Sequence, residues 1–285
     1  MTLLIVIASA IIISASLIIV SIPTPDLNSF YSNWTVNIAI LVATLLSCVA
    51  MQKSYSNYRL VAKSNARDEG IQYSTVKAKQ SFYACLSLTI GLVLWTAAEY
   101  TWTYFQLGLG IENPFPSEAD VFWLSAYPFI ILFIYMVNKT LSKTGVYDRE
   151  TLIMLSVSAG LTLGYIFNLT FGIADIMATA EDEIAWLISI FYPILDTIAL
   201  VPALLIVISL RNKVSTSNLH WSLFAISIII VTIADIGFGY SELLGTAEEE
   251  QWFWDIQYTA SYIFMAGALY AYIVVLRKRP IQTGV

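Results

Sequence analysis

Residues 221–243 read WSLFAISIIIVTIADIGFGYSEL, a long apolar run with one acid, Asp235, inside it and a second, Glu242, at its end. A helix needs about 20 consecutive, mostly apolar residues to cross the hydrocarbon core of a bilayer, and this run is long enough. In the whole chain 58% of the residues are hydrophobic and 12% are charged, whereas about 25% are charged in an ordinary globular domain. The sequence therefore predicts an integral membrane protein rather than a soluble one.

Apolar runs of similar length recur along the whole 285-residue chain. They predict an all-α, polytopic membrane protein with about eight transmembrane helices in the lipid bilayer. The expected spans are Leu3–Ile22, Trp34–Met51, Gln80–Leu107, Asp120–Met136, Thr151–Phe171, Ile184–Leu210, Trp221–Leu243 and Trp252–Leu276. The chain then divides into two N-terminal helices in 1–51, a basic cytoplasmic linker, mobile or short-helical, in 52–79, a six-helix membrane domain in 80–276 and a short basic cytoplasmic tail in 277–285.

The basic residues are confined to alternate connections between these spans. All 14 Lys and Arg residues lie after the second, fourth, sixth and eighth spans. Because Lys and Arg are retained on the cytoplasmic side, this asymmetry predicts a multi-pass protein of the cell membrane with both termini in the cytoplasm. Most acids lie in the opposite connections, so we expect a negative outer face; an N-glycosylation sequon, Asn33-Trp34-Thr35, falls near it.

The six-helix domain shows an internal repeat of helix pairs. Spans three and four match spans seven and eight in order, and spans five and six resemble a degenerate middle copy. The aligned positions are Glu99 with Asp235, Asp120 with Asp255, Trp123 with Tyr258, and Tyr127 with Tyr262. All three pairs enter the membrane from the same side, so the repeat is parallel. It predicts three helix pairs around a common centre, with the first two spans added to them.

Three acids, Glu99, Asp196 and Asp235, lie inside predicted spans. An ionisable side chain within a bilayer is costly and usually faces the interior of the helix bundle or a water-filled cavity. No Lys or Arg lies inside any span. These carboxyl groups must therefore be protonated, hydrated, hydrogen-bonded to hydroxyl or indole groups, or paired with a ligand.

Aromatic residues share helix faces with the acids. Glu99 shares a face with Trp95 and Trp102, by i, i+3 and i+4 spacing. Acids and aromatic rings together attract a small cationic or amine ligand through charge and cation–π interactions. An interfacial aromatic belt is the alternative explanation for many of these rings. The predicted ligand-binding residues are Trp95, Glu99, Trp102, Asp120, Trp123, Tyr127, Asp196, Asp235, Asp255, Tyr258 and Tyr262.

The chain carries no signature of catalysis, a metal site or a cofactor. Cys48 and Cys85 lie in apolar runs, and the single histidine, His220, stands near the cytoplasmic boundary. There is no HExxH motif, no Gly-rich phosphate loop and no Cys/His metal set. The last span holds no lysine for a retinal Schiff base. The connections are also too short for a nucleic-acid-binding domain, so we expect none of these activities.

One stretch resembles a known family. PFPSEADVFWLSAYPF, residues 114–129, follows LWTAAEYTWTYFQLGLG, residues 94–110. The Pro-Ser-x-Ala-Asp motif and the Tyr-Pro pair resemble the multispanning N-terminal input domains of prokaryotic signalling proteins such as diguanylate cyclases, phosphodiesterases and histidine kinases. The resemblance covers residues 81–276 and implies a sensor domain. Only a short tail follows Leu276 here, so the output domain would have to be on another polypeptide.

These observations leave three functions open. The first, which we prefer, is a sensor or receptor-like membrane module with an outward-facing acidic and aromatic pocket, signalling through a separate cytoplasmic or membrane protein. The second is a transporter or channel subunit for protons or cations, with the intramembrane acids as relay or coordination sites. The third is an accessory subunit of a larger membrane complex.

Overall fold

The computed structural model describes residues 25–63, 69–141, 180–210 and 218–278, with isolated helical positions between 153 and 164. Its helices are α1 (Pro25–Lys63), α2 (Glu69–Thr103), α3 (Glu118–Leu141), α4 (Ala180–Leu210), α5 (Leu219–Leu244) and α6 (Ala247–Lys278). A π-helical turn, Tyr104–Gly108, continues α2. The predicted first span, Leu3–Ile22, lies outside the described residues, as does the predicted fifth, Thr151–Phe171, apart from isolated positions.

Six helices in the described part of the chain are long and apolar enough to cross a membrane. Their apolar windows have mean hydropathies from 1.6 to 2.2. An all-helical, multi-pass membrane protein is thereby confirmed for this part of the chain. The total of eight spans and the repeat of helix pairs stay predictions.

The basic segment 52–79, predicted as a linker, is mostly helix. α1 continues to Lys63 and α2 begins at Glu69, which leaves only residues 64–68 of the segment undescribed. The extension of α1 packs against α2 through aromatic rings, because the ring centroid of Phe82 lies 5.1 Å from that of Tyr55 and 6.4 Å from that of Tyr58. This aromatic packing stabilises the part of α1 that continues beyond its apolar run.

The six helices form a closed ring. Each helix packs against the preceding and following described helix, and α6 packs back against α1. We call one end of the ring the acidic end, because it carries Glu118 and Glu249, and the opposite end the basic end, because it carries Lys139 and Arg277. Four helices begin at the acidic end: α1, α3, α4 and α6. The second predicted span was expected as an addition to three helix pairs. In the structure this helix, α1, packs against both α2 and α6 and closes the ring.

An apolar core fills the ring in its middle and towards the basic end. It includes the fully buried Ile40, Leu92, Ile130, Phe224 and Met265. α2 and α3 approach closely at Gly91, where a Cβ atom would lie 2.8 Å from Ile130 Cγ1. Small residues permit such close helix packing in membranes. The buried acids Glu99, Asp120 and Asp196 lie towards the acidic end from this core.

Candidate functional site

A cavity of about 90 Å³ lies at the centre of the ring, in its acidic half. A volume of this size holds several water molecules or a small ligand. Side chains from all six helices line it, together with Phe115 from the connection between α2 and α3. Every residue predicted as ligand-binding lines this one cavity: Trp95, Glu99, Trp102, Asp120, Trp123, Tyr127, Asp196, Asp235, Asp255, Tyr258 and Tyr262.

The cavity is rich in carboxyl groups. Its lining residues, all within the described part of the chain, include no Lys, Arg or His. The acids are Glu99, Asp120, Asp196, Asp235, Glu242 and Asp255. A charged carboxylate in a membrane interior needs hydrogen-bond donors or a counter-charge. The side chains around these acids supply hydroxyl and amide donors but no cation.

Glu99 is held by a tyrosine from α6, on the far side of α1 from α2. The hydroxyl of Tyr262, on α6, donates to Glu99 Oε1 at 2.5 Å. Tyr262 is fixed in turn by Trp95, whose ring centroid lies 6.0 Å away, and Trp95 also contacts Tyr127 edge-on at 6.3 Å. Glu99 and its donor are both buried, so this carboxyl group is positioned by rigid aromatic neighbours.

Asp196 and Asp235 share one tyrosine. The hydroxyl oxygen of Tyr127 lies 2.6 Å from Asp196 Oδ1 and 3.1 Å from Asp235 Oδ2. Tyr258 donates a further hydrogen bond to Asp235 Oδ1 at 2.8 Å. The other oxygen of Asp196, Oδ2, is buried and accepts no hydrogen bond from the described residues. The cavity therefore contains a carboxylate oxygen without a protein donor.

The start of α3 positions Asp120. Its Oδ2 accepts a hydrogen bond from the backbone N–H of Ser117 at 2.8 Å, while the N–H of Ala119 donates to Ser117 Oγ at 3.2 Å. This reciprocal pattern is a capping box, which satisfies free N–H groups at a helix start. Tyr192 of α4 donates to the remaining oxygen, Oδ1, at 2.8 Å. The Pro-Ser-x-Ala-Asp motif thus has a structural explanation as a helix start that presents Asp120 to the cavity.

α1 contributes polar contacts that the sequence analysis missed. Ser32 donates to Asp255 Oδ2 at 2.5 Å, and Asn33 Nδ2 donates to Gln106 Oε1 at 2.7 Å. Asn37 Nδ2 donates to Thr103 Oγ1 at 2.6 Å. The signal for these contacts was present, because Asn33 and Asn37 stand one helical turn apart in an apolar run. Asn33, the acceptor residue of the sequon, is 4% exposed and lines the cavity.

The π-helical turn links α2 to α6 at the acidic end. It directs Gln106 inward, where the residue is buried, whereas the neighbouring Tyr104 is exposed. Gln106 and Gln251 exchange two amide hydrogen bonds of 2.9 and 3.0 Å. Gln106 Nε2 also donates to the carbonyl oxygen of Glu112. Turns of this type often occur at functional sites, and here the turn joins α2, α6 and the following connection.

Some aromatic residues suit a belt at the membrane interface, and others line the cavity. Tyr104 and Tyr240 are 60% and 47% exposed, as a belt at the membrane interface requires. Trp95 and Tyr127 are 4% and 3% exposed and line the cavity. The aromatic residues of this half of the protein therefore divide into an exposed group and a group around the acids.

The arrangement suits a small cation. Carboxylate oxygens and aromatic faces converge on one enclosed space, which is the combination that recognises ammonium groups. Within the described ranges, no group of three or more His, Cys, Asp or Glu side chains is placed to hold a metal ion. The chain matches no family model, no curated protein and no solved structure, so the function of this cavity has to be inferred from its own geometry.

Proposed function

We propose that this protein binds a small organic cation in its central cavity and acts as a sensor or receptor-like membrane module that signals through a separate protein. One observation carries the proposal. Acidic and aromatic side chains from five of the six helices meet around one cavity whose lining contains no basic residue.

Charge is the first reason for a cationic ligand. Six carboxyl groups line the cavity, and their protein partners are hydroxyl and amide groups, which do not neutralise a negative charge. The interior of a membrane protein screens charges weakly, so a ligand cation interacts there far more strongly than in water. A neutral ligand of the same size gains none of this attraction.

Shape and size restrict the class of cation. The indole rings of Trp95, Trp102 and Trp123 line the cavity, and a desolvated cation–π contact stabilises binding by about 2 kcal/mol. A strongly hydrated metal ion makes less use of such surfaces than an alkylammonium ion does. Sites for drug-sized ligands enclose about 300–1,000 Å³, whereas this cavity has about 90 Å³. The cavity therefore favours compact ammonium ions with few carbon atoms.

The position of the cavity supports a sensing role. Because every helix of the ring contributes to its lining, a ligand that fits one packing of the helices better than another shifts the equilibrium between them. α1 and α2 extend beyond their apolar runs at the basic end, which gives a partner a surface on which to detect such a shift. The distribution of Lys and Arg orients this end towards the cytoplasm and the cavity outwards.

Calorimetry with the purified protein in detergent tests the proposal. We expect tetramethylammonium and methylammonium to bind, and tert-butanol, an uncharged and water-soluble molecule of similar size to tetramethylammonium, to produce no binding heat. The double variant Glu99→Gln/Asp235→Asn should lose at least tenfold in affinity, about 1.4 kcal/mol.

Glu249→Gln is the matched control, because Glu249 is exposed and does not line the cavity. It should bind like the wild type. Equal binding of tert-butanol, or undiminished affinity in the double variant, would exclude a cation site in this cavity. In sealed vesicles of known orientation, binding only from the cytoplasmic side would exclude the outward-facing cavity.

A further inference from the structure

We infer that cation binding is coupled to proton release: Asp196, Tyr127 and Asp235 share one extra proton, which leaves when the organic cation enters the cavity. The inference rests on the proposed function, since it describes how the same cavity accepts its ligand. It assigns Asp196 a role that differs from that of the other acids.

The contacts of Tyr127 need more hydrogen atoms than its hydroxyl group has. The Tyr127 oxygen lies within hydrogen-bond distance of two carboxyl oxygens, Asp196 Oδ1 at 2.6 Å and Asp235 Oδ2 at 3.1 Å. A tyrosine hydroxyl has one hydrogen atom to donate. For both contacts to be attractive, the second hydrogen atom has to come from a carboxyl group that donates to the Tyr127 oxygen. One of the two aspartates therefore carries a proton.

No neighbouring group supplies that second hydrogen atom in place of a carboxyl group. Tyr258 already donates to the other oxygen of Asp235. The remaining titratable groups that face the pair, from every helix around it, are acids or donate to other acids. They are Glu99 with its donor Tyr262, Asp120 with its donor Tyr192, Asp255 with its donor Ser32, and Glu242 with its donor Asn113.

Asp196 Oδ2 identifies where the cation acts. Asp196 is 2% exposed and lines the cavity, and this oxygen accepts no hydrogen bond from a hydroxyl, amide or backbone N–H group of the described residues. An unpaired carboxylate oxygen in a membrane interior is costly. A cation beside Oδ2 supplies the missing partner and allows both aspartates to be ionised at once.

The exchange balances in charge and atoms. The cation enters, the O–H bond of one aspartic acid breaks, and its proton passes to water, with no covalent bond formed to the ligand. The net charge of the cavity is the same before and after, so one cation replaces one proton without adding charge to the membrane interior. Binding should therefore weaken as the proton concentration rises.

Proton release is measured directly by titrating tetramethylammonium into the protein in unbuffered detergent solution at constant pH, near neutrality. This probe carries no ionisable proton, so any base consumed reports on the protein. We expect about one equivalent of base per cation bound. Asp196→Asn should bind more weakly and release no proton, because its amide N–H supplies the second hydrogen atom.

Glu99→Gln is the matched variant, since Glu99 lines the same cavity but has its own tyrosine donor. It should also bind more weakly, yet still release about one proton per cation. Binding without proton release in the wild type would overturn the exchange and leave the proposed function intact. Equal proton release in Asp196→Asn would overturn the role of the pair.

Infrared spectroscopy tests without a ligand whether Asp196, Tyr127 and Asp235 share an extra proton. The carbonyl stretch of protonated carboxylic acids should be present in the wild type and weaker in Asp196→Asn, because the other buried acids of the cavity contribute to the same band. If no cation binds the wild type at all, the proposed function fails, and the difference in this band between the wild type and Asp196→Asn still shows whether the pair holds a proton. Absence of the band from the wild type would overturn the inference.

Discussion

The hydrogen bond between Tyr262 and Glu99 gives the sharpest test of the cavity as a structural unit. Tyr262→Phe removes only the hydroxyl that donates to Glu99 Oε1 at 2.5 Å. Both residues are buried, at 1% and 7% exposed, so water cannot freely replace the lost donor. Hydrogen bonds to charged groups contribute about 1.5–3 kcal/mol, whereas side-chain hydrogen bonds in membrane proteins average about 0.6 and reach about 1.7 kcal/mol. We expect Tyr262→Phe to lower the free energy of unfolding by about 1–2 kcal/mol, where these ranges meet.

Reversible unfolding in mixed micelles of detergent and sodium dodecyl sulfate, followed by circular dichroism, measures this loss. Tyr270→Phe makes the same chemical change on the same helix at a residue that is 51% exposed, and it should change stability by less than about 0.5 kcal/mol. In a double-mutant cycle with Glu99→Gln, the two changes should couple by about 1 kcal/mol. Equal effects of Tyr262→Phe and Tyr270→Phe, or additive effects in the cycle, would refute a direct stabilising bond.

Two further substitutions, Gly237→Ala and Gln251→Ala, test how the helices are held around the cavity, and Gly160→Ala is the control for the first. At Gly237 a Cβ atom would collide with the Trp254 ring, so Gly237→Ala should destabilise the protein by about 1–3 kcal/mol in the same unfolding assay. At the helical Gly160 a Cβ atom would lie within 4 Å of no atom of the described residues, so Gly160→Ala should instead be neutral or stabilising by up to about 1 kcal/mol. Gln251→Ala removes both amide bonds to Gln106 and should cost about 1–2 kcal/mol. It should also speed hydrogen exchange in the π-helical turn. Unchanged exchange there would show that the hydrogen bonds between Gln106 and Gln251 do not stabilise this turn.

Hydropathy was enough to predict the membrane helices of the described chain, and the position of acids within them was enough to predict a buried polar site. Both signals are local, because the bilayer requires apolar length from each helix separately. A carboxyl group in such a helix must face the interior, which is why Glu99, Asp196 and Asp235 could be expected near the centre. All three line the cavity.

The role of α1 could not be predicted in the same way. Ser32 and Asp255 are 223 positions apart in sequence, and Asn33 and Gln106 are 73 apart. Hydropathy gives the length of a helix but not its neighbours, so the closure of the ring by α1 followed only from the structure. The inward position of Gln106 likewise depends on a local π-helical turn, which shifts residues relative to the regular helical period.

The tyrosine bonds in the cavity cross between the helix pairs that the sequence repeat aligns. Tyr262 of α6 donates to Glu99 of α2, and its aligned counterpart Tyr127 of α3 contacts Asp235 of α5, the counterpart of Glu99. The repeat itself stays a prediction, but this crossing gives it a physical use, since each pair satisfies an acid of the other. α4 breaks the equivalence by adding Asp196 to only one of the two tyrosines. The Tyr262 hydroxyl therefore meets one carboxyl group, whereas the Tyr127 hydroxyl meets two and has one hydrogen atom for them. Only the Tyr127 arrangement needs an extra proton or an incoming cation.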